Sequence, residues 1–262
     1  MTILKGLFLE NQTWPAVSAY LSHSKTIIIP IGSIENEGTH LPLGLDIHVA
    51  QYLCEIVSEK TCCMVGPCLP LGYSKWFMDF PGTISLEHET LTKVIKEYCQ
   101  CLYAHGFRNL IFINPHMGNG NAIADVGRDF RRKGALVIMV DIWRSFKKIA
   151  EGIEMTKKSE LTHAGDIGTS VALAMYPQHV DMPNAREAEI ELPVSKNIYP
   201  INTTGFSDFK GNNIYTYVSA EEITRSGLIG DPTGASKEKG EVLLEKMVDY
   251  LEEVVREIKE VE

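Results

Sequence analysis

Four ionisable side chains stand within twelve residues: Glu35, Glu37, His40 and Asp46, in the stretch GSIENEGTHLPLGLD that runs from Gly32 to Asp46. In an extended segment, residues two apart face the same way, so Glu35 and Glu37 project together. Two carboxylates held close repel unless a cation or a proton lies between them. A divalent metal meets that need. The plainer alternative is a solvated acidic loop whose residues have separate roles. Position favours the metal. The stretch follows the apolar run Thr26–Ile31, and α/β sheets gather ligands at the carboxyl ends of their strands.

Two histidines are further candidates. His116 follows the apolar run Leu110–Ile113 and opens a Gly/Asn loop, HMGNGN, before an expected helix. His163 lies in THAGDIGTS, at an expected helix start. Imidazole titrates near neutrality, so His163 could carry protons. Thr162 and Asp166 could equally serve there as helix caps.

The elements that must position these residues can be read from periodicity. Thr26–Ile31, Leu110–Ile113 and Ala135–Val140 are of strand length, rich in β-branched residues and apolar on both faces, as buried parallel strands are. Helical patterns separate them at Asp46–Glu59, His88–His105, Ala122–Arg132 and Gly165–Met175, with Gly106 as a C-cap. Residues 236–262 carry one apolar stripe: Leu244, Met247, Val248, Leu251, Val255 and Ile258. Strands alternating with helices imply a layered α/β fold with a mainly parallel central sheet. Residues 181–233 are expected to form extended loops and short strands laid over it. No repeat or linker interrupts the chain, so residues 1–262 are expected to form one domain.

Composition narrows the partners. The chain has 262 residues, 44% of them hydrophobic and 23% charged, which is ordinary for a globular protein. The net charge of −9 and the lack of a dense Lys/Arg cluster argue against nucleic acid or an anionic membrane surface. No apolar run is long enough to span a bilayer, and the first residues do not read as a signal peptide. The six cysteines contain no C-x-x-C pair, which fits reduced thiols in the cytoplasm. A small-molecule substrate is the remaining partner class.

Taken together, the motifs resemble the creatininase (creatinine amidohydrolase) family. Its G-S-x-E-x-H-G-x-H-L-P-x-x-x-D pattern stands here as GSIENEGTHLPLGLD. Its FPGTISL occupies Phe80–Leu86. Its N-G-H-x-x-N matches Asn114–Asn119, its H-A-G-x-x-E-T-S matches His163–Ser170, and its late G-x-x-G-D-P motif falls in Gly227–Gly240. The resemblance implies a three-layer α/β/α fold, a homohexamer and a two-metal hydrolase. It implies that Glu35 and His116 bind the first metal, that Asp46 bridges both, and that His163 transfers protons. Metal-activated water would attack a carbonyl carbon.

Three departures stand out. Glu37 replaces the second-metal histidine, Gly168 the E-T-S glutamate, and Gly118 an acidic residue two positions after the motif histidine. The first metal site is therefore complete and the second rebuilt or missing. A set of Glu35, Glu37, Asp46 and His116, with Glu37 also a catalytic candidate, is oxygen-rich. It favours Mn²⁺, Fe²⁺ or Mg²⁺ over Zn²⁺, and Mn, Fe or Zn is the expected cofactor. Trp76 and Phe77 stand where relatives place a Glu-His pair, and Trp143 follows the third strand. These aromatics could stack on a flat ligand, with Asp79 orienting it, or could be core residues. The expected substrate is a small cyclic amide, a formamide or a lactone-like carbonyl compound, not creatinine itself. Ring opening of an oxidised polyol or sugar and a non-catalytic ligand-binding relative are the alternatives.

Overall fold

The computed structural model describes residues 6–155, 163–200 and 206–261. In chain order the elements are α1 (Trp14–Leu21), β1 (Thr26–Pro30), α2 (Leu45–Thr61), β2 (Met64–Val65), α3 (His88–His105), β3 (Asn109–Asn114), α4 (Gly120–Arg131), β4 (Leu136–Asp141), α5 (Ile142–Ile149), α6 (Asp166–Met175), β5 (Ile198–Pro200), β6 (Phe206–Phe209), β7 (Asn212–Tyr215), α7 (Ala220–Ile223) and α8 (Lys237–Lys259).

The main sheet runs β2-β1-β3-β4, all parallel. Alternation along its strands builds two cores. Ile28, Ile111, Ile113 and Val140 face a cluster that includes Leu53 of α2, Phe146 of α5, Val171 of α6 and Leu251 of α8. Ile27, Ile29, Leu110 and Phe112 face the other way, onto Tyr20 of α1, Ile95 of α3 and Val126 of α4. Both faces of the strands are thereby removed from water, which is why β1 and β3 read as continuous apolar runs. The result is the expected three-layer α/β/α arrangement around a mainly parallel sheet.

One strand departs from the expectation. β4 lies at the sheet's edge, and of its six residues only Val140 is buried, with Met139 37% exposed. An edge strand has one side without a ladder partner, so its apolar sequence does not guarantee burial. The described part of residues 181–233 follows the expected style. It contains the short 3₁₀ turn Met182–Asn184, the antiparallel sheet β5-β6-β7 and the single helical turn α7.

The topology places three strand ends side by side. Pro30 of β1 pairs with Ile113 of β3, and Asn114 of β3 pairs with Asp141 of β4. The loops after β1 and β3 carry Glu35 and His116, and α5, which follows β4 directly, carries Trp143 in its first turn. α2 returns beneath the first loop and brings Asp46 in its first turn. Gly32 permits that approach: a Cβ there would stand 2.7 Å from the backbone nitrogen of Ile47.

Candidate metal centre

The acidic loop is not free. Glu35 donates its backbone N–H to Leu43 at 3.0 Å, Ile34 and Ile84 form an antiparallel bridge, and Asn36 N–H donates to Thr83 Oγ1 at 3.0 Å. The Phe80–Leu86 motif therefore acts as a clamp on the donor loop. Held this way, Glu35 and Glu37 are both buried and do project together, as the two-residue spacing requires.

Asp46 is 2% exposed and accepts three contacts. Ser33 Oγ donates to its Oδ2 at 2.7 Å, Trp143 Nε1 donates to its Oδ1 at 3.0 Å, and His116 Nδ1 stands 3.2 Å from Oδ2. Donor atoms bound to one metal at about 2.0–2.2 Å lie about 3.0–3.5 Å apart, so the His116–Asp46 spacing suits two ligands of one ion. His116 Nε2–H donates to the Tyr73 carbonyl at 2.8 Å, with Ser74 Oγ 3.2 Å and Glu35 Oε2 3.7 Å away. That leaves Nδ1 as the nitrogen directed at Asp46.

Glu35 lies between two imidazoles. Its Oε1 is 4.0 Å from His163 Nδ1, which also stands 3.9 Å from Glu37 Oε2. Ligand atoms of Glu35, Glu37 and His163 all fall within 4.8 Å of one another. His163 Nε2–H donates to the Asn36 carbonyl at 2.7 Å, and its ring stacks on Phe77 with centroids 4.3 Å apart.

Electrostatics reflect this crowding. Burial pushes the Glu35 carboxyl up to about 7, with Asp46 adding to the rise and His116 and a Ser74 hydrogen bond opposing it. Burial, then Asp46 and Glu35, hold Glu37 well above the usual carboxylate range. Burial lowers His163 to about 4. Burial also works against charging His116, but Glu35 and Asp46 outweigh it and raise it to about 9. Burial and carboxylate crowding both raise the cost of ionising these groups, a cost that a cation would offset.

A cavity of about 820 Å³ opens onto this cluster at Glu35, Ser74 and Gly118. Trp76 and Phe77 line it, as do Lys75, His88, Arg128 and the stretch Thr216–Ser219. Phe77 is fully buried and supports His163, whereas Trp76 donates its indole N–H to the Val218 carbonyl. The other two expected substrate contacts do not line the cavity. Asp79 is exposed beyond the 3₁₀ turn Lys75–Phe77. Trp143 is turned inward to Asp46 because its indole N–H finds a buried carboxylate there.

The glycine substitutions have structural counterparts. A Cβ at Gly118 would stand 2.0 Å from the Tyr73 carbonyl and 2.6 Å from His116 Nε2. The Tyr73 carbonyl closes the position that an acidic side chain would need. At Gly168 a Cβ meets the Trp143 ring, at 4.0 Å. Thr162 lies outside the described residues. Asp166 does not cap α6; it accepts from Ser170 Oγ at 3.0 Å and pairs with Lys239 of α8 at 3.1 Å.

Ser33, Ser74 and the Tyr73 carbonyl were not singled out by sequence. Ser33 had a signal, standing two residues before Glu35 in the same motif. Ser74 and Tyr73 had none, since they reach the centre only through the fold.

Comparison with known proteins gives the family. The family model for creatininase, described as creatinine amidohydrolase, matches residues 10–255. The chain belongs to the creatininase family. Creatinine amidohydrolase of Pseudomonas putida is 25% identical, with 97% of each chain covered. The 3-dehydro-scyllo-inosose hydrolase of Thermotoga maritima is 28% identical over 97% of this chain and 84% of its own. A mycofactocin precursor peptide peptidase of Mycobacterium tuberculosis is 29% identical over 87% of this chain and 83% of its own. Among solved structures, a manganese creatininase superposes with a TM-score of 0.79 at 24% identity, covering 97% of this chain and 99% of its own. A creatininase variant described as Zn-Zn type reaches 0.76 at 24% identity, with the same coverage. Among the described residues, no helix is long and apolar enough to cross a membrane.

Proposed function

We propose that this creatininase-family protein is a metal-dependent hydrolase that acts on a small cyclic amide, a formamide or a lactone-like carbonyl compound, with the C–N bond of a cyclic amide the foremost target. The observation that carries the reading is the meeting of Glu35, Glu37, Asp46, His116 and His163 in one buried cluster, whose Glu35 lines a cavity of about 820 Å³. Glu35, Asp46 and His116 are the donors for a divalent ion, Mn, Fe or Zn, with Glu37 and His163 completing the centre across Glu35. When bound, the ion supplies acidified water and polarises the carbonyl. The chain's own residues do the rest. Ser33 and Trp143 hold the Asp46 carboxylate in one orientation, and the Tyr73 carbonyl fixes the His116 tautomer. Trp76 forms one wall against the substrate.

A second reading has support of its own. The similarity to a 3-dehydro-scyllo-inosose hydrolase favours a ring-opening step on an oxidised polyol. A homo-oligomer, hexameric as the resemblance implies, belongs to the same proposal. The half-exposed apolar edge at β4 supports it, and sedimentation of the purified chain tests it.

The deciding experiment is metal analysis of protein purified without added metal, beside Glu35→Ala and His116→Ala. Both changes are expected to strip metal and hydrolysis together, assayed with Mn²⁺ on cyclic amides, formamides, lactones and oxidised cyclitols. Unaltered metal content in both variants sinks the site, and full hydrolysis after chelation sinks the metal mechanism.

A further inference from the structure

Asn119 stands at the position that caps α4, and Asn is among the residues that favour such a place. Its side chain nevertheless makes no bond to the helix. The residue is fully buried, and its amide is spent on three other segments. Oδ1 accepts the Tyr73 N–H at 3.2 Å, and Nδ2 donates to the Gly32 carbonyl at 3.1 Å and to Asn114 Oδ1 at 3.2 Å. The neighbours fix its orientation. Reversed, the amide nitrogen would face an N–H and the amide oxygen would face two oxygens.

Each of these bonds ends on backbone or side chain that holds a metal donor. Gly32 opens the stretch in which Ser33 bonds to Asp46 and Glu35 follows two residues later. Tyr73 gives its N–H to Asn119 and takes the Nε2–H of His116 on its carbonyl, at 2.8 Å. Asn114 grips His116 at both backbone groups, accepting its N–H at 3.2 Å and donating to its carbonyl at 2.8 Å. Gly72 lets these segments close on one another. A Cβ there would stand 2.5 Å from Asn119 Oδ1, 2.9 Å from the Gly32 carbonyl and 3.1 Å from His116 Cδ2. Gly72 is not among the residues with positive φ, so lack of space and not backbone conformation requires the glycine.

We infer that Asn119 is a positioning residue that sets the spacing between Glu35 and His116, with Gly72 as the gap that lets it do so. The two donors come from loops remote in sequence, and their side chains approach to 3.7 Å. The Asn119 amide joins the backbone behind both. A buried polar network with its bonds made is rigid, and groups behind the ligands orient them and strengthen ion binding. Without the amide, the Gly32 carbonyl and the Tyr73 N–H each lose a bond in a buried place, and the loops must shift to replace it. Asn119 touches neither ion nor substrate; it acts through Gly32, Tyr73 and Asn114. The inference rests on the metal-dependent reading above.

The test compares affinity for Mn²⁺ with stability. Full-length protein stripped by chelator is titrated with Mn²⁺, and electron paramagnetic resonance follows both the free ion and the spectrum of the bound one. Asn119→Leu keeps the volume of the side chain and removes all three bonds. Gly72→Ala keeps the amide and pushes it from its place. Leu251→Ala is the control for general loss of stability, since α8 there lies beside Lys60, at the end of α2 far from Asp46. Asn119→Leu and Gly72→Ala are expected to weaken Mn²⁺ binding about 10- to 100-fold and to alter the spectrum of the bound ion. Leu251→Ala is expected to melt earlier and to keep wild-type affinity and spectrum. Should Asn119→Leu fail to fold by circular dichroism, Gly72→Ala decides alone. Wild-type affinity in the folded variants, or an equal loss in Leu251→Ala, overturns the positioning role and leaves the proposed function standing. No Mn²⁺ binding by the wild type overturns both.

Discussion

The indole N–H of Trp143, just past the end of β4, reaches across the strand ends to the Asp46 carboxylate in the first turn of α2, at 3.0 Å. It ties the sheet's edge strand to the helix that carries a central donor. Trp143→Phe keeps the aromatic packing and deletes only this bond. A hydrogen bond to a buried charge contributes about 1.5–3 kcal/mol. Urea unfolding of the variant should show a loss in that range with an unchanged m-value. A loss below a few tenths would mean that the bond does not hold Asp46.

Gly118 predicts a steric effect. An added methyl meets the Tyr73 carbonyl and His116 Nε2 far inside contact distance. Overpacking of this kind costs about 1–3 kcal/mol. Gly118→Ala should melt earlier and bind metal more weakly, since His116 is displaced. A variant with wild-type melting and metal affinity would show that the loop has room.

Asp166 and Lys239 join α6 to α8 at 3.1 Å, with Asp166 buried and Lys239 24% exposed. Removing one partner of a fully buried pair costs about 3–5 kcal/mol; the partial exposure of Lys239 brings the expected loss for Asp166→Ala to about 1–3 kcal/mol. Chemical denaturation measures it directly, and Asp166→Ala with Lys239→Met should recover part of the loss.

His40 gives the chain an acid limit. It is 2% exposed, its Nε2 lies 2.8 Å from Thr169 Oγ1, and its Nδ1 has no partner among the described residues. Burial lowers it to about 4 against its ordinary 6.5, with Asp181 opposing. Between these values the unfolded chain binds the proton and the folded chain does not, so stability rises with pH across that window. The full difference is roughly 3 kcal/mol. Denaturant midpoints at pH 7 and pH 4.5 should differ more for wild type than for His40→Gln. Equal slopes would remove His40 from the acid limit.

Some elements and contacts were legible in the residues and some were not. α3 spans His88–His105, as its periodicity and Gly106 predict, because a strong apolar stripe and a left-handed cap are both local signals. α1 was not read as a helix; it buries only Tyr20, so its stripe is too weak to register. β4 was misjudged because apolar sequence cannot say which strand is the edge. In the centre, the shared direction of Glu35 and Glu37 follows from a two-residue spacing. The orientation of His163 does not, since it is set by Asn36 and Phe77, both remote in sequence.

The cavity wall formed by Thr216–Ser219 comes from late in the chain, and its Val218 carbonyl accepts a bond from Trp76. Every donor at the centre comes from other segments. Selection can therefore rewrite that wall, lengthening it or swapping the 87%-exposed Tyr217, without disturbing the ion-holding loops. Under the proposed function, the ion-holding residues and the wall that faces the substrate thus sit on separately mutable segments of the chain.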